Sequence, residues 1–172
     1  MVISNHPTWV DPIIIQLAFP FRRLNSLATK DLFDSQAKMR FFTLMHCIIV
    51  DKDNFSLSSF HEVVGRLEEG KLVVIFPEGR VSANGAPELT AFKSGAVLMA
   101  HKAGVPILPM YIVKKKKWYQ RQHIVMGMPL DIPKMLGKMP SMKALTEASD
   151  LLLNKELELK NYFEQKGRNV YE

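Results

Sequence analysis

The stretch LVVIFPEGR, residues 72–80, joins an unbroken apolar run to a polar turn. Strands that are covered by helices on both faces are typically apolar throughout, as residues 72–76 are. Pro77 and Gly79 are common turn residues, and they end the run. The stretch therefore predicts a buried strand of a parallel sheet, followed by a loop at the carboxyl end of that strand.

Strand-like runs alternate with amphipathic segments along the rest of the chain. The predicted strands are residues 1–4, 24–29, 47–50, 72–76, 105–113 and 121–127, and the predicted helices are 12–18, 31–47, 56–69, 91–103 and about 141–165. Such alternation favours an α/β fold with a mostly parallel central sheet flanked by helices. The helix at 91–103 repeats apolar residues at helical spacing, and Gly104 follows as its stop.

The size and composition of the chain indicate one folded domain. The chain has 172 residues, of which 47% are hydrophobic and 23% are charged. These values predict a single domain over residues 1–172 rather than two domains or a disordered chain. Gln16 and His46 interrupt the apolar runs before they reach the roughly 18 residues that a membrane-spanning helix needs. We therefore expect no membrane span.

Charge and cysteine usage bear on location and partners. Cys47 is the only cysteine, and no secretory signal is recognisable, so a reducing, cytoplasmic setting is expected. The formal net charge of +6 favours an anionic partner, which can be a phosphorylated substrate, an acidic lipid surface or nucleic acid. We expect no nucleic acid, because the aromatic residues are not interleaved with the basic ones as on a binding platform.

The turn NHPTWVD, residues 5–11, follows the first predicted strand. Pro7 and Pro12 disfavour helical backbone at the residues before them, so Asp11 is predicted as the N-cap of a helix that begins at Pro12. His6 lies five residues before Asp11, and a turn can fold its imidazole back onto the carboxylate. An imidazole oriented in this way is a general base. Spacing alone leaves both a structural and a catalytic role open.

The two polar loops belong to strands that can be neighbours. In an open α/β sheet, functional groups gather beyond the carboxyl ends of the strands. If the first and fourth predicted strands are adjacent, residues 5–11 and 77–80 face each other across a crevice. Gly79 would then bring the backbone close to a ligand, and Arg80 would clamp a phosphate through its planar guanidinium. A solvated turn is the equally supported alternative.

Other kinds of catalytic chemistry have little support in the sequence. Cys47, within an apolar run, is predicted as a small core residue, and no Gly-x-Ser-x-Gly nucleophile motif occurs. His46, His61, His101 and His123 lack the spacing of metal ligands, and no Gly-x-x-x-x-Gly-Lys loop is present. If the protein is a transferase, we expect it to transfer its group directly and without a metal.

Four ordered blocks carry a family resemblance. They are NHPTWVD at 5–11, VDKDN at 50–54, FPEGR at 76–80 followed by FKSGA at 92–96, and VPILPM at 105–110. In their order and spacing, residues 1 to about 130 resemble the glycerophospholipid acyltransferases, which include the lysophosphatidic acid acyltransferases. The resemblance implies a glycerol-3-phosphate acyltransferase-like fold. It also implies an O-acyltransferase that moves a fatty acyl group from an acyl thioester to the free hydroxyl of a lysophospholipid, above all 1-acylglycerol 3-phosphate, giving phosphatidic acid.

The resemblance implies roles for individual residues. His6 is then the general base that takes the proton of the acceptor hydroxyl, and Asp11 orients the imidazole and stabilises its charge. Glu78, Gly79 and Arg80 bind the lysophospholipid acceptor, with Arg80 on the phosphate. No cofactor is implied, because acyl-CoA or acyl-carrier protein is the acyl donor and thus a substrate.

Two lysines and a proline complete the implied site. Lys52 and Lys93 belong to the substrate-binding set. Lys52 stands where the family more often has arginine, so it keeps the charge but loses the bidentate fork. Pro106 would shape the acyl-donor side, and a proline at an edge strand or bulge is an equally good interpretation.

The chain departs from the family pattern in two places. Family members usually carry a helical segment before the first block that contacts the membrane, whereas this chain begins five residues before His6. We therefore expect the chain to lack those N-terminal membrane-binding helices, as a fragment or a shortened form, or to bind lipid through other surfaces. Residues 34–47 also lack the proline and glycine that are common near the second block.

Membrane contact and loss of catalysis are the remaining open interpretations. The run KKKKWYQR, residues 114–121, is either a solvated hairpin tip or a contact to anionic headgroups, where each lysine adds about 1 kcal/mol. The helix at about 141–165 is expected to pack on the domain, with a membrane surface as the alternative. We expect a peripheral enzyme on the cytoplasmic face of an anionic membrane. The alternative is a catalytically weak or inactive lipid-binding module of the same fold.

Overall fold

The computed structural model describes residues 1–29, 35–50, 56–77, 92–115 and 119–167. These residues form one α/β domain, which confirms the predicted fold class. In chain order the elements are β1 Val2–Ser4, α1 Asp11–Ala18, β2 Leu24–Thr29, α2 Gln36–Leu44, β3 Ile48–Val50, α3 Leu57–Glu68, β4 Leu72–Ile75, α4 Phe92–Lys102, β5 Leu108–Ile112, β6 Ile124–Met126, α5 Ile132–Leu136 and α6 Met142–Gly167.

The strands form one sheet in the order β3-β2-β4-β1-β5-β6. β1 pairs in parallel with β4 and β5, and β2 pairs in parallel with β3 and β4. β6 runs antiparallel to β5. The first and fourth strands are therefore neighbours, with Ile3 opposite Ile75. Their carboxyl ends meet at one edge of the sheet, as a shared site requires.

The sheet separates two apolar layers. On one face, helices α3, α4 and α6 pack against strand residues such as Ile3 and Ile75. On the other face, Ile15 of α1 packs against Val74 and Ile112. Because successive strand residues point to opposite faces, a strand covered on both sides must be apolar throughout. All four residues of β4 are buried, as its composition predicts.

Local signals end the helices near their predicted bounds. The hydroxyl of Ser56 accepts a hydrogen bond from the Ser59 amide at 3.1 Å and so caps the start of α3. Gly70, with φ of 74°, turns the chain from α3 into β4. α4 ends at Lys102, and Gly104 follows with φ of 67°, a conformation that favours glycine.

The last two helices differ in how well their sequence predicts them. α6 is the helix expected at about 141–165, and its buried Leu145 and Leu152 pack it on the domain. α5 is not predicted from the sequence, since five residues are too short to show helical periodicity. The carboxylate of Asp131 caps α5 by accepting from the Lys134 amide at 3.2 Å. In the part of the chain that the structure describes, no helix is long and apolar enough to cross a bilayer.

Candidate active site

The turn after β1 brings His6 and Asp11 together. His6 Nδ1 lies 2.7 Å from Asp11 Oδ2, so the predicted contact is present. The Asp11 side chain is 0% exposed and the His6 side chain is 16% exposed. A neutral imidazole that donates through Nδ1 carries its free lone pair on Nε2. His6 is thus held in one orientation and can still exchange a proton with a bound molecule.

Thr8 anchors the Asp11 carboxylate from within the same turn. The Thr8 amide donates to Asp11 Oδ2 at 2.7 Å, and the Thr8 hydroxyl donates to Oδ1 at 2.5 Å. Together with His6, these bonds engage both carboxylate oxygens. Thr8 is missing from the residues predicted from sequence, although threonine near an aspartate in a turn is a local signal for such bonds.

The predicted N-cap role of Asp11 is wrong. The helix begins at Asp11 itself, and its N-cap is Val10, which makes no side-chain capping bond. The reason is that few free amides remain at this end. Pro12 has no amide hydrogen, and the amides of Ile13 and Ile14 both donate to the Val10 carbonyl. The Asp11 carboxylate turns back to His6 and Thr8 instead.

Asn5 fixes the base of the turn to the sheet. Its side-chain amide donates to the Ile112 carbonyl at 3.0 Å and accepts from the Ile112 amide at 2.7 Å. Asn5 is buried, and its side chain continues the hydrogen bonding between β1 and β5 where backbone pairing ends. The residue before His6 is therefore held by two hydrogen bonds to a neighbouring strand.

An aromatic ring from the end of β4 covers one face of the imidazole. Phe76 follows β4, and its ring stacks on His6 with a centroid separation of 4.2 Å and an interplanar angle of 17°. Ring pairs of this kind contribute about 0.5–1.5 kcal/mol beyond burial. The contact depends on β4 lying beside β1, so the sequence predicts the phenylalanine in its strand but not the stack.

The other predicted site residues are only partly covered by the structure. Four of them lie outside the described residues: Lys52, Glu78, Gly79 and Arg80. Lys93 is the second residue of α4, and its side chain also lies outside the description. Pro106 is exposed and precedes β5 by two residues, where proline removes no hydrogen bond from the ladder.

The described part of the chain offers few other reactive groups. Burial raises the pKa of the Cys47 thiol, which lies 3.2 Å from the Ser26 hydroxyl, so the weakly nucleophilic protonated form is favoured. His101 Nε2 is 2.6 Å from the Gly137 carbonyl oxygen and ties α4 to the end of α5. Among the described residues, no three His, Cys, Asp or Glu side chains are grouped so as to hold a metal ion. The His6–Asp11 pair is suited to proton abstraction.

Comparisons with known proteins identify relatives of this chain. The family model described as Acyltransferase matches residues 1–113. A 1-acyl-sn-glycerol-3-phosphate acyltransferase of Bacillus subtilis is 26% identical over 174 residues, covering 96% of this chain and 83% of that protein. A probable 1-acyl-sn-glycerol-3-phosphate acyltransferase of Mycoplasma pneumoniae is 31% identical over 120 residues, covering 66% of this chain and 44% of that protein.

A solved structure shares the fold. The crystal structure of the 1-acyl-sn-glycerophosphate acyltransferase of Thermotoga maritima matches with a TM-score of 0.62 at 23% identity. The match covers 92% of this chain and 65% of that chain. The family match itself extends over about two thirds of the sequence, from β1 to the end of β5, and includes His6 and Asp11. The chain therefore belongs to the acyltransferase family, as its sequence blocks predict.

Proposed function

We propose that this protein transfers a fatty acyl group from an acyl thioester to the free hydroxyl of a lysophospholipid. The preferred acceptor is 1-acylglycerol 3-phosphate, and the product is phosphatidic acid. The observation that carries the proposal is the 2.7 Å contact between His6 Nδ1 and the buried Asp11 carboxylate. The names of the Bacillus and Mycoplasma relatives support the choice of acceptor.

His6 acts as the general base. Its Nε2 accepts the proton of the acceptor hydroxyl while the hydroxyl oxygen attacks the thioester carbonyl carbon. The tetrahedral intermediate then collapses, the carbon–sulfur bond breaks, and the imidazolium returns its proton to the thiolate. The products are the acylated lipid and a free thiol. Asp11 stabilises the imidazolium during this cycle and keeps Nδ1 protonated.

The acceptor headgroup binds at the loop that follows β4. Arg80 clamps the phosphate, and Glu78 and Gly79 contact the same headgroup. Lys52, which follows β3 in the sequence, and Lys93, at the start of α4, add positive charge. The parallel pairing of β1 with β4 supports this arrangement, because it brings the start of this loop, Pro77, to the same sheet edge as the His6 turn.

Arg80→Lys should raise KM for 1-acylglycerol 3-phosphate by about tenfold or more, with kcat less affected. Lysine keeps the charge but cannot form two parallel hydrogen bonds to one phosphate. Initial rates are measured with this acceptor and with a monoacylglycerol that has no phosphate. Arg66→Lys, on the exposed surface of α3, is the matched control. An equal loss with both acceptors would show that Arg80 does not bind the phosphate.

Phe76→Leu should lower kcat about threefold to tenfold and leave KM nearly unchanged, because the stack on His6 orients the base. Phe60→Leu is the control, since Phe60 is a partly buried phenylalanine that packs in the apolar layer on the other face of the sheet. Steady-state kinetics are compared with thermal unfolding of both variants. If Phe60→Leu lowers kcat as much at the same loss of stability, the stack has no positioning role.

The protein acts at an anionic membrane surface on the cytoplasmic side. The β5–β6 hairpin supports this proposal, because Lys114 and Lys115 follow the strand that holds Asn5 through Ile112. Exposed Tyr119 lies on the return side of the same hairpin. Basic and aromatic side chains next to the turn of His6 would bring anionic headgroups to the edge of the site.

A transfer assay tests the proposed function directly. The purified chain is incubated with labelled acyl-CoA, or with acyl-carrier protein loaded with the same acyl group, and with vesicles that contain 1-acylglycerol 3-phosphate. Labelled phosphatidic acid is the expected product, and the more rapidly used thioester identifies the donor. Other lysophospholipids and glycerol 3-phosphate complete the acceptor panel. Vesicle binding without any acylated product would instead identify a lipid-binding module of the same fold.

A further inference from the structure

Helices α1 and α2 present large apolar side chains to solvent. Leu17 at the end of α1 is 74% exposed, and Leu44 at the end of α2 is 77% exposed. With their neighbours they form a set that we call the α1–α2 face, which consists of Trp9, Leu17, Phe21, Met39, Phe41 and Leu44. Clustered apolar exposure, unlike single exposed side chains, is typical of a surface that binds a partner.

The topology places both helices on one face of the sheet. The chain steps from β1 to β2 to β3 in one direction, and from β3 to β4 to β5 in the other. Because crossovers between parallel strands are almost always right-handed, α1 and α2 lie on one face and α3 and α4 on the other. Ile49 of β3 supports this assignment. It is exposed, whereas Ile48 and Val50 on either side of it are buried against α3.

The described residues of α1, β2, α2 and β3 carry charges of one sign apart from one buried carboxylate. Residues 11–29 and 35–50 contain four basic residues, and their only acidic residue is Asp11, which is buried. Three of them are the exposed arginines Arg22, Arg23 and Arg40. By contrast, α6 on the opposite face has four lysines and five acidic residues. An apolar surface with a basic rim is the combination that binds an anionic lipid interface.

The same face reaches the candidate active site. Trp9 lies in the turn between His6 and Asp11, and α1 begins at Asp11. Trp9 is exposed, so it is available to extend the contact surface from α1 to the turn that holds the base. A lysophospholipid has its hydroxyl and phosphate at the level of the headgroups. Docking through this face would therefore bring the acceptor hydroxyl close to His6 without removing the lipid from the bilayer.

We propose that the α1–α2 face docks onto the surface of an anionic phospholipid bilayer. The inference rests on the proposed function for its lipid acceptor, and it adds the surface through which the domain meets that lipid. A bilayer fits better than a second copy of this chain. In a two-fold dimer through this face, Arg22, Arg23 and Arg40 of both copies would crowd around one axis without exposed acidic partners from residues 11–29 and 35–50.

Vesicle flotation tests the docking surface. Wild-type protein should bind vesicles of equal parts phosphatidylcholine and phosphatidylglycerol about tenfold more tightly than vesicles of phosphatidylcholine alone. The Leu17→Ser/Leu44→Ser variant should bind the anionic vesicles about tenfold or more weakly than wild type, because two apolar anchors are lost. Equal binding by wild type and this variant would overturn the proposal.

A matched control separates the face from general surface hydrophobicity. Met139 and Met142 precede and begin α6, and they are 94% and 76% exposed. The Met139→Ser/Met142→Ser variant should bind anionic vesicles as wild type does, and an equal loss would overturn the proposal. The Phe21→Ser variant tests the same face without a risk to folding, since Phe21 is 99% exposed and its replacement leaves the core intact. A several-fold weaker binding is expected for this single variant, and no change would count against the face.

Two further measurements separate this inference from the proposed function. Activity towards a short-chain 1-acylglycerol 3-phosphate below its micelle concentration should be the same for Leu17→Ser/Leu44→Ser and wild type, whereas activity towards the acceptor in vesicles should fall. If wild type has no activity with either acceptor, the proposed function fails, and flotation still decides the docking. If sedimentation shows a wild-type dimer that this variant abolishes without weaker vesicle binding, the face is a subunit interface and the proposal is wrong.

Discussion

Turnover by the His6→Ala variant should fall by about 10²-fold or more while the domain stays folded. The His6 ring is partly exposed, and its described contacts are the hydrogen bond to Asp11 and the stack on Phe76. Its removal therefore deletes the base and uncovers one face of Phe76, but it removes no member of either apolar layer. Initial rates with acyl-CoA and 1-acylglycerol 3-phosphate measure the effect, and circular dichroism melting verifies the fold.

A second histidine serves as the control for this loss. His61 is exposed on α3, and His61→Ala should retain wild-type kcat. Added imidazole should partly restore the His6→Ala variant, because the space next to Phe76 admits a free ring. Wild-type turnover in a folded His6→Ala variant would contradict the role of general base, and loss of activity in both histidine variants would point to a nonspecific cause.

The fold follows from the sequence wherever burial imposes a pattern. β4 is apolar at every position because helices cover both of its faces, and that pattern is visible without a structure. The order of the strands is different. The residues of β1 and β4 do not indicate that these strands pair. Among the described residues, two other strands and three helices separate them in the sequence, so no local pattern connects them. Helix α5 escapes prediction because it is shorter than two helical turns.

The candidate site could be predicted as a set of residues but not as a geometry. The spacing of His6 and Asp11 permits the observed contact and does not require it. The N-cap prediction for Asp11 fails because Val10 already accepts the free amides of the helix. Phe76 reaches the imidazole only through the pairing of β1 with β4. These contacts depend on tertiary structure, which local patterns do not encode.

The α1–α2 face also depends on tertiary structure that the sequence does not reveal. Apolar residues of an amphipathic helix generally face the core. Ile15 meets that expectation, whereas Leu17 and Leu44 are exposed. The difference arises because this side of the sheet carries only a small apolar layer, centred on residues such as Val74. The size of the apolar layer beneath a helix therefore determines which of its apolar residues are buried and which remain exposed.

Asp11→Asn should lower kcat by about 10²-fold and change KM little. Asparagine matches aspartate in size, so the turn keeps its shape, but the side chain loses the charge that stabilises a protonated His6. The loss is specific to the catalytic cycle because the Asp11 carboxylate contacts the imidazole directly at 2.7 Å. Asp11→Ala should also lower stability, by about 1–3 kcal/mol, since it leaves the amide and hydroxyl of Thr8 without their acceptor. Steady-state kinetics and denaturant unfolding of both variants measure the two effects separately.

The His6→Ala/Asp11→Asn double variant decides how the two residues cooperate. If Asp11 acts through His6, removal of its charge costs little once the imidazole is gone, so the double variant should be about as slow as His6→Ala alone. Thr8→Val provides a graded comparison, because it removes one of the bonds to the carboxylate and leaves the charge in place. Its loss of turnover should be smaller than that of Asp11→Asn. Losses that multiply fully in the double variant would show that Asp11 contributes independently of the base, and its proposed action through His6 would then be wrong.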